Sequence, residues 1–284
     1  MKYKIINNFL SDKFCEELIF DANKYSKDDH IEVLNHRKLL TSTSLSFINL
    51  IKKSDVWRKL HNKLNSQKFL NDLIEYLDFK DQNYTVTNFF FEENPSDYLK
   101  KYKSTNQKVL SNVGSLNLIF YQFFKFYRTL KRYLKFYFSS KNYIELIYDY
   151  SKSPNGYKRE IHRDSDSRTI VFLIYLNKLS DKGKGGNLRL YKYSKESQKI
   201  PSRPKEEECE LIEDISPETG KLITFLNSYD SLHDVSEMKN HDGYRHFLYG
   251  SFTLLAKKNP LLKKSKGGLK TNFNSFEWSD EKNR

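Results

Sequence analysis

Cysteine is nearly absent: Cys15 and Cys209 are the only two in 284 residues. Two thiols cannot make a disulfide framework, so a reducing, cytoplasmic setting is the expectation. The opening stretch MKYKIINNFLSDKF holds no unbroken apolar run and no small-residue cleavage site, so no secretory leader is expected. No run of ~18 or more apolar residues occurs either, the length a helix needs to cross a bilayer. Internal repeats are lacking, which excludes solenoids and propellers. Histidine is scarce, at seven residues, so any site built on imidazole has few candidates.

The most informative absence is of acid. Between Asp97 and Glu145 there is none, and the ten Lys and Arg that fall there give residues 98–144 a charge of +10. Residues 1–97 and 145–256 each stand at −1, and the tail from Lys257 at +5. The net charge of +13 therefore belongs to two segments of an otherwise neutral chain. That partition removes the case for a chain that binds nucleic acid along its whole length, and no recognition motif for nucleic acid accompanies it. Phenylalanine and tyrosine, at 21 and 20 residues, supply enough bulk to exclude a disordered chain and to fill a core.

Lys2 to Phe9 alternates like a short strand. Ser11 and Asp12 then offer a cap to Phe14, Leu18, Ile19 and Ala22, which recur at helical spacing. A second helical region runs from about Leu45 to Leu77. The segment YTVTNFFF, Tyr84 to Phe91, is β-branched and aromatic and reads as a strand. Within the basic segment, Leu116 to Phe138 reads as one long helix. From Tyr143 the texture changes to short strands: IELIYDY, YKREIH, RTIVFLIYLN, NLRLYKY, KLITFLN and GYRHFLYGSFTLL. Gly156, Gly185–Gly186, Gly220 and Gly243 punctuate them as turn residues. Strands at this spacing predict a sandwich or jelly roll. The expected layout is one domain over 1–256, with helical support in 1–97, a basic helical insertion in 98–142 and a β core in 143–256. A basic, flexible tail, 257–284, follows.

In YKREIHRDSDSRTIVFLIYLN, His162 and Asp164 are two residues apart, so on a strand both leave the same face. A second imidazole from a neighbouring strand would complete two His and one carboxylate on one side of a metal. That facial triad suits non-heme Fe(II), because it leaves positions open for other ligands. His233, in SYDSLHDVS, is the best third ligand among so few histidines. Spacing alone is weak evidence: His30 and Glu32 make a similar pair, with nothing downstream to support a site. Asp166 is a decoy for Asp164, near the end of the strand. His241 falls in a loop and is expected to be solvated. The acidic run Glu206–Glu210 reads as a solvated loop, and Cys209 within it has no catalytic neighbour. Arg168 is placed to brace the metal loop by pairing with Asp164 or Asp166.

The order of segments adds what spacing lacks. H-x-D is followed by R-T-I-V-F-L-I-Y-L-N, then G-G-x-L-x-L-Y, G-K-L-I-T-F, H-D-V and a basic residue on the next strand. This order resembles the prolyl 4-hydroxylase-like branch of the Fe(II)- and 2-oxoglutarate-dependent dioxygenases, over about Ile144 to Leu255. The resemblance implies a double-stranded β-helix (jelly roll) core, flanked by N-terminal helices and the inserted basic helix, α+β overall. It implies that His162, Asp164 and His233 hold iron, that Arg245 pairs with the distal carboxylate of 2-oxoglutarate, and that Tyr175 and Tyr150 lie on the cosubstrate side. The step from His233 to Arg245 is longer than the family's, and the turn in EMKNHDG can absorb the difference. Arginine suits the role, since its planar fork meets a carboxylate with two hydrogen bonds. Strand parity sets Arg245, Phe247, Tyr249 and Ser251 on one face and His246 on the other.

The implied cofactors are Fe(II), 2-oxoglutarate and O2, with ascorbate as an accessory reductant. The implied chemistry is hydroxylation of a C–H bond with release of succinate and CO2. A carboxylate at Asp164 favours hydroxylation over halogenation, in which a halide takes that position. The substrate is left open among a peptidyl residue, an amino acid and a small metabolite. On a helix, Lys125, Arg128, Arg132 and Lys135 form one basic stripe beside an apolar face that includes Leu116, Ile119, Phe123, Leu130, Tyr133 and Tyr137. Such a helix can pack on the sheet and show lysines to water, lie peripherally on an anionic membrane, or dock an acidic partner. A different class of function also stays open: a non-catalytic jelly-roll module that binds an anionic partner through the basic helix.

Overall fold

Side-chain alternation along the strands decides which residues face helices and which face the cleft. The computed structural model describes residues 1–26, 29–33, 36–79, 84–87, 123, 126–127, 130–131, 134–136, 141–195 and 200–255. Strand β1 (Tyr3–Ile6) leads into helix α1 (Asp12–Ser26), followed by the short strands β2 (Ile31–Glu32) and β3 (Lys38–Thr41). The single helical stretch expected at 45–77 is three helices: α2 (Leu45–Lys53), α3 (Asp55–Leu64) and α4 (Gln67–Tyr76). Serine makes the breaks. Ser44, Ser54 and Ser66 sit in extended backbone, and each hydroxyl accepts from a backbone N–H of the first turn that follows it. Strand β4 (Tyr84–Val86) then pairs in parallel with the first long strand of the core.

Eight further strands make that core: β5 (Asn142–Ser153), β6 (Arg159–His162), β7 (Arg168–Tyr175), β8 (Leu188–Tyr193), β9 (Cys209–Ile215), β10 (Leu222–Leu226), β11 (Leu232–Val235) and β12 (Arg245–Leu254). Of these, β5, β7, β10 and β12 join one sheet and β6, β8, β9 and β11 the other, and they pair antiparallel with one another. The larger has the order β1-β10-β7-β12-β5-β3-β2 and the smaller β6-β11-β8-β9. This is the double-stranded β-helix, a mainly β core with helices on one side. Strand β9 takes the place of an expected loop. Glu206–Glu208 form one turn of 3-10 helix, and the alternating CELIEDI pairs along the sheet edge, its outward carboxylates still in water.

One face of the large sheet carries the helices. Phe172 and Ile174 of β7, Leu248 and Phe252 of β12, and Tyr148 and Tyr150 of β5 pack there with Leu18, Phe47, Trp57 and Phe69. Trp57 is fully buried, and its indole N–H donates to Leu18 O at 2.9 Å, tying α3 to α1. Gly250 is needed on this face, because a Cβ there would lie 2.4 Å from the Phe172 ring. The opposite face looks toward the small sheet, where Leu173, Tyr175, Leu188, Leu190, Ile223 and Phe247 form a second core. Odd and even residues of β5, β7, β10 and β12 thus divide between the two layers.

In the basic segment the described residues between Phe123 and Phe136 are helical. Phe123 and Leu130, expected on the packed face, are exposed, whereas Phe136 is buried against Leu255. Lys135 is exposed; Lys125, Arg128 and Arg132 lie outside the described residues, as does the tail from 257. Among the described residues no helix is long and apolar enough to cross a membrane.

Replacing Trp57 with alanine removes both the largest fully buried side chain among the described residues and the α1–α3 tie. Urea unfolding should show a loss of about 3–5 kcal/mol. Alanine at the exposed Phe20 should change stability by about 0.5 kcal/mol or less. Equal effects at the two positions would contradict this helix-on-sheet packing.

Candidate metal centre and its cavity

The two sheets enclose a cavity of about 310 Å³, lined from both sides. His162 stands at the end of β6 and His233 on β11, directly opposite each other in the ladder. Asp164 follows two residues after His162, in the loop to β7. One donor atom from each of the three lies within 4.8 Å of the others. Asp164 Oδ2 is 3.8 Å from His233 Nε2, and Oδ1 is 4.0 Å from His162 Nε2.

Backbone carbonyls orient both rings. His162 Nδ1 lies 2.8 Å from Glu160 O, and His233 Nδ1 lies 3.2 Å from Ser231 O. A carbonyl can only accept, so each Nδ1 carries the proton and each Nε2 presents a lone pair. Burial, the other imidazole and Arg159 hold the His162 pKa well below its ordinary value, against the pull of Asp164. Burial likewise lowers that of His233. Both rings are therefore neutral near pH 7, the form that binds metal.

Asp164 is buried and nonetheless ionised. Burial alone would raise its pKa, but the Arg168 guanidinium and a hydrogen bond from Tyr249 outweigh it and lower the value. Arg168 Nη1 and Tyr249 Oη both donate to Oδ1, each at 2.7 Å. Oδ2 is buried without a hydrogen-bond partner. The expected brace from Arg168 is present on Asp164, while Asp166 lies 3.7 Å from Arg163. Two bare imidazole nitrogens and one unpartnered carboxylate oxygen thus converge, a donor set that fits a divalent cation such as Fe(II).

Arg245, at the start of β12, lines the same cavity and is fully buried. Its guanidinium sits among the rings of Phe247, Tyr157 and Tyr175, with Cζ 4.4, 5.5 and 5.6 Å from their centroids. Nη1 donates to Gly186 O, and Nε has no partner. Gly186 delivers that carbonyl from a turn at φ +78°, a backbone conformation glycine adopts without strain. Among the described residues no carboxylate pairs with Arg245, and burial lowers its pKa. A buried cation without a counter-ion is costly, so its surroundings fit an anionic ligand.

Tyr175 is buried beside Arg245 on β7, with its pKa pushed up to about 12 by burial. Tyr150 is not brought to the cavity. On β5 the odd residues Ile147 and Asp149 face inward, so Tyr150 points to the helices, 2.8 Å from His246 Nδ1. The parity expected of β12 holds, with Arg245, Phe247, Tyr249 and Ser251 lining the cavity and His246 on the far face. His241 is buried rather than solvated, because the loop before β8 wraps it. Its ring nitrogens lie 3.2 Å from Ser180 O and 3.0 Å from Lys184 O. Sequence reasoning missed the bond from Tyr249 to Asp164, although strand parity had already put Tyr249 on the inward face. It also missed the Arg189–Asp234 pair (2.9 and 2.6 Å), which clamps β11 to β8 on the face away from His233.

If Arg245 serves a ligand rather than the fold, Arg245→Met should raise the urea midpoint of the ligand-free protein or leave it unchanged. A clear fall would make the guanidinium a structural brace on Gly186.

No curated protein matches the sequence. Among solved structures it is similar to a prolyl 4-hydroxylase from Phytophthora capsici, at 13% identity over 91% of this chain with a TM-score of 0.49. This chain spans 61% of that protein's length. It is also similar to a prolyl hydroxylase from Trichoplax adhaerens (14% identity, 89% of this chain and 83% of that one, TM-score 0.44). A third is a viral collagen prolyl hydroxylase from Paramecium Bursaria Chlorella virus-1 (13%, 89% and 97%, TM-score 0.44). Residues 147–251, which contain the three donors and Arg245, match the family model of the 2OG-Fe(II) oxygenase superfamily.

Proposed function

We propose that the chain is an Fe(II)- and 2-oxoglutarate-dependent dioxygenase of the prolyl 4-hydroxylase-like kind, hydroxylating a C–H bond of its substrate. One observation carries the reading: an unpartnered carboxylate oxygen and two bare imidazole nitrogens share a cavity with a buried arginine that has no counter-ion among the described residues. In this reading His162, Asp164 and His233 hold Fe(II), and Arg245 holds the distal carboxylate of 2-oxoglutarate with Tyr175 beside it. When bound, iron with 2-oxoglutarate and O2 supplies the oxidising chemistry, so that substrate C–H, 2-oxoglutarate and O2 become C–OH, succinate and CO2.

The protein's own contribution is positional. Arg168 and Tyr249 tie up Asp164 Oδ1 and leave Oδ2 directed at His233. The carbonyls of Glu160 and Ser231 keep each Nε2 free of a proton. Leu173, Leu188, Phe225 and Phe247 give the cavity apolar walls that limit water. Ascorbate is expected to support turnover as a reductant, and the two free thiols agree with a cytoplasmic setting. Contact of the basic stripe Lys125, Arg128, Arg132 and Lys135 with an anionic partner or surface is a separate proposal, and of these four only Lys135 falls among the described residues. A non-catalytic module is disfavoured, because it would keep a buried, uncompensated cation at a cost in stability and with no return.

Purified with Fe(II) and supplied with 2-oxoglutarate and O2, the protein should release succinate even in slow, substrate-free turnover. His162→Ala and Asp164→Ala should each cut this by about 100-fold or more. Unchanged turnover in both variants would sink the site. Tyr249→Phe removes one bond to the ligating carboxylate and should weaken Fe(II) or Mn(II) binding by about tenfold. Metal affinity equal to wild type would remove Tyr249 from this role.

A further inference from the structure

The buried serines Ser26, Ser42, Ser54 and Ser231 each use the hydroxyl in a hydrogen bond. Ser26 donates to Ala22 O, Ser54 to Asp21 Oδ2 and Ser231 to Ser228 O, while Ser42 accepts from the Tyr148 N–H. Ser151 and Ser153 of β5 differ. Both are fully buried, and neither Oγ has a hydrogen-bond partner among the described residues. A buried hydroxyl left without a bond costs stability. Alanine would occupy either place without that penalty, so the fold alone gives no reason for the two hydroxyls.

Their position supplies one. The ladder between β5 and β12 keeps its register from end to end, with Ser153 opposite Arg245 and Ser151 opposite Phe247. Opposite residues of an antiparallel pair leave the same face, their Cβ atoms about 5 Å apart. On the other side of Phe247, across the ladder to β7, stands Tyr175. The guanidinium of Arg245 lies 4.4 Å from the Phe247 ring centroid, so it reaches from the row of Ser153 toward the row of Ser151. The serines are enclosed, and they border Arg245 rather than the open part of the cavity, which Arg245 itself lines.

Three unsatisfied groups thus stand together: the two hydroxyls and Nε of Arg245, whose Nη1 is already engaged by Gly186 O. A carboxylate accepts at about four lone-pair sites. One edge of a guanidinium reaches two of them, and neighbouring hydroxyls are donors suited to the others. We infer that Ser151 and Ser153 donate to the carboxylate that Arg245 binds, and so set the affinity of this end of the cavity for its ligand; this rests on the oxygenase reading, in which that carboxylate is the distal one of 2-oxoglutarate. An ordered water could satisfy the hydroxyls but would leave the guanidinium without a counter-ion. A carboxylate does both.

The test uses the full chain loaded with Mn(II) in the absence of O2, so that nothing turns over. Calorimetry compares 2-oxoglutarate with oxalate, which chelates a divalent metal and has no distal carboxylate. If wild type shows no metal-dependent binding of 2-oxoglutarate, the oxygenase reading falls and this inference with it. Where it binds, Ser151→Ala and Ser153→Ala should each weaken 2-oxoglutarate about tenfold, and the double variant more than either. Affinities for oxalate and for Mn(II) should be unchanged. The urea midpoint of the ligand-free double variant should stay level or rise, since two unpaired hydroxyls are gone. Wild-type affinity for 2-oxoglutarate in the double variant overturns the inference. So does an equal loss for oxalate, or a fall in the urea midpoint, because the serines would then support the fold rather than touch the carboxylate. A loss in one single variant only removes the other serine from the role.

Discussion

The site depends on how the carboxylate of Asp164 is divided. A buried carboxylate in an apolar cavity would ordinarily take up a proton. Arg168 and Tyr249 prevent this by donating to one oxygen only, and the other is left without a partner. The consequence reaches both sheets. Arg168 opens β7, Tyr249 lies on β12, and the histidines that face the free oxygen come from β6 and β11 of the small sheet. The jelly roll is what brings these four strands to one place, and the helical layer behind the large sheet holds it in register.

A second constraint is the guanidinium of Arg245, which has no counter-ion among the described residues. Its aromatic cage and the carbonyl of Gly186 fix its position without neutralising it. The protein therefore keeps one negative and one positive group in a single cavity, each incompletely satisfied. In a fold selected for stability alone such groups would be paired or replaced by apolar residues. Together they define complementary needs, a cation at Asp164 and an anion at Arg245, which on the proposed function a divalent metal and a dicarboxylate would meet.

Much of this was legible in the sequence, for definite reasons. Two-residue spacing singled out His162 and Asp164, although Asp164 lies just past the end of β6, and the scarcity of histidine left His233 as the natural partner. The identity of Arg245 came from the order of segments, and its direction from strand parity. The failures have equally local causes. Tyr150 was off by one residue, and in a strand a one-residue slip exchanges the cavity for the opposite layer. Serine caps split one helical run into three, and β9 was hidden because an edge strand with one face in water carries the charges of a loop. His241 is buried by tertiary wrapping that no local pattern announces.

The central claim is that metal and 2-oxoglutarate occupy one cavity and touch each other there. Linkage makes this measurable, because two ligands that share a site must affect each other's affinity equally. Anaerobic equilibrium dialysis of Fe(II), with and without 2-oxoglutarate, tests it most directly. The account predicts one Fe(II) per chain, held about tenfold or more tighter when 2-oxoglutarate is present. Fe(II) binding that ignores 2-oxoglutarate, or no stoichiometric Fe(II) at all, would contradict it.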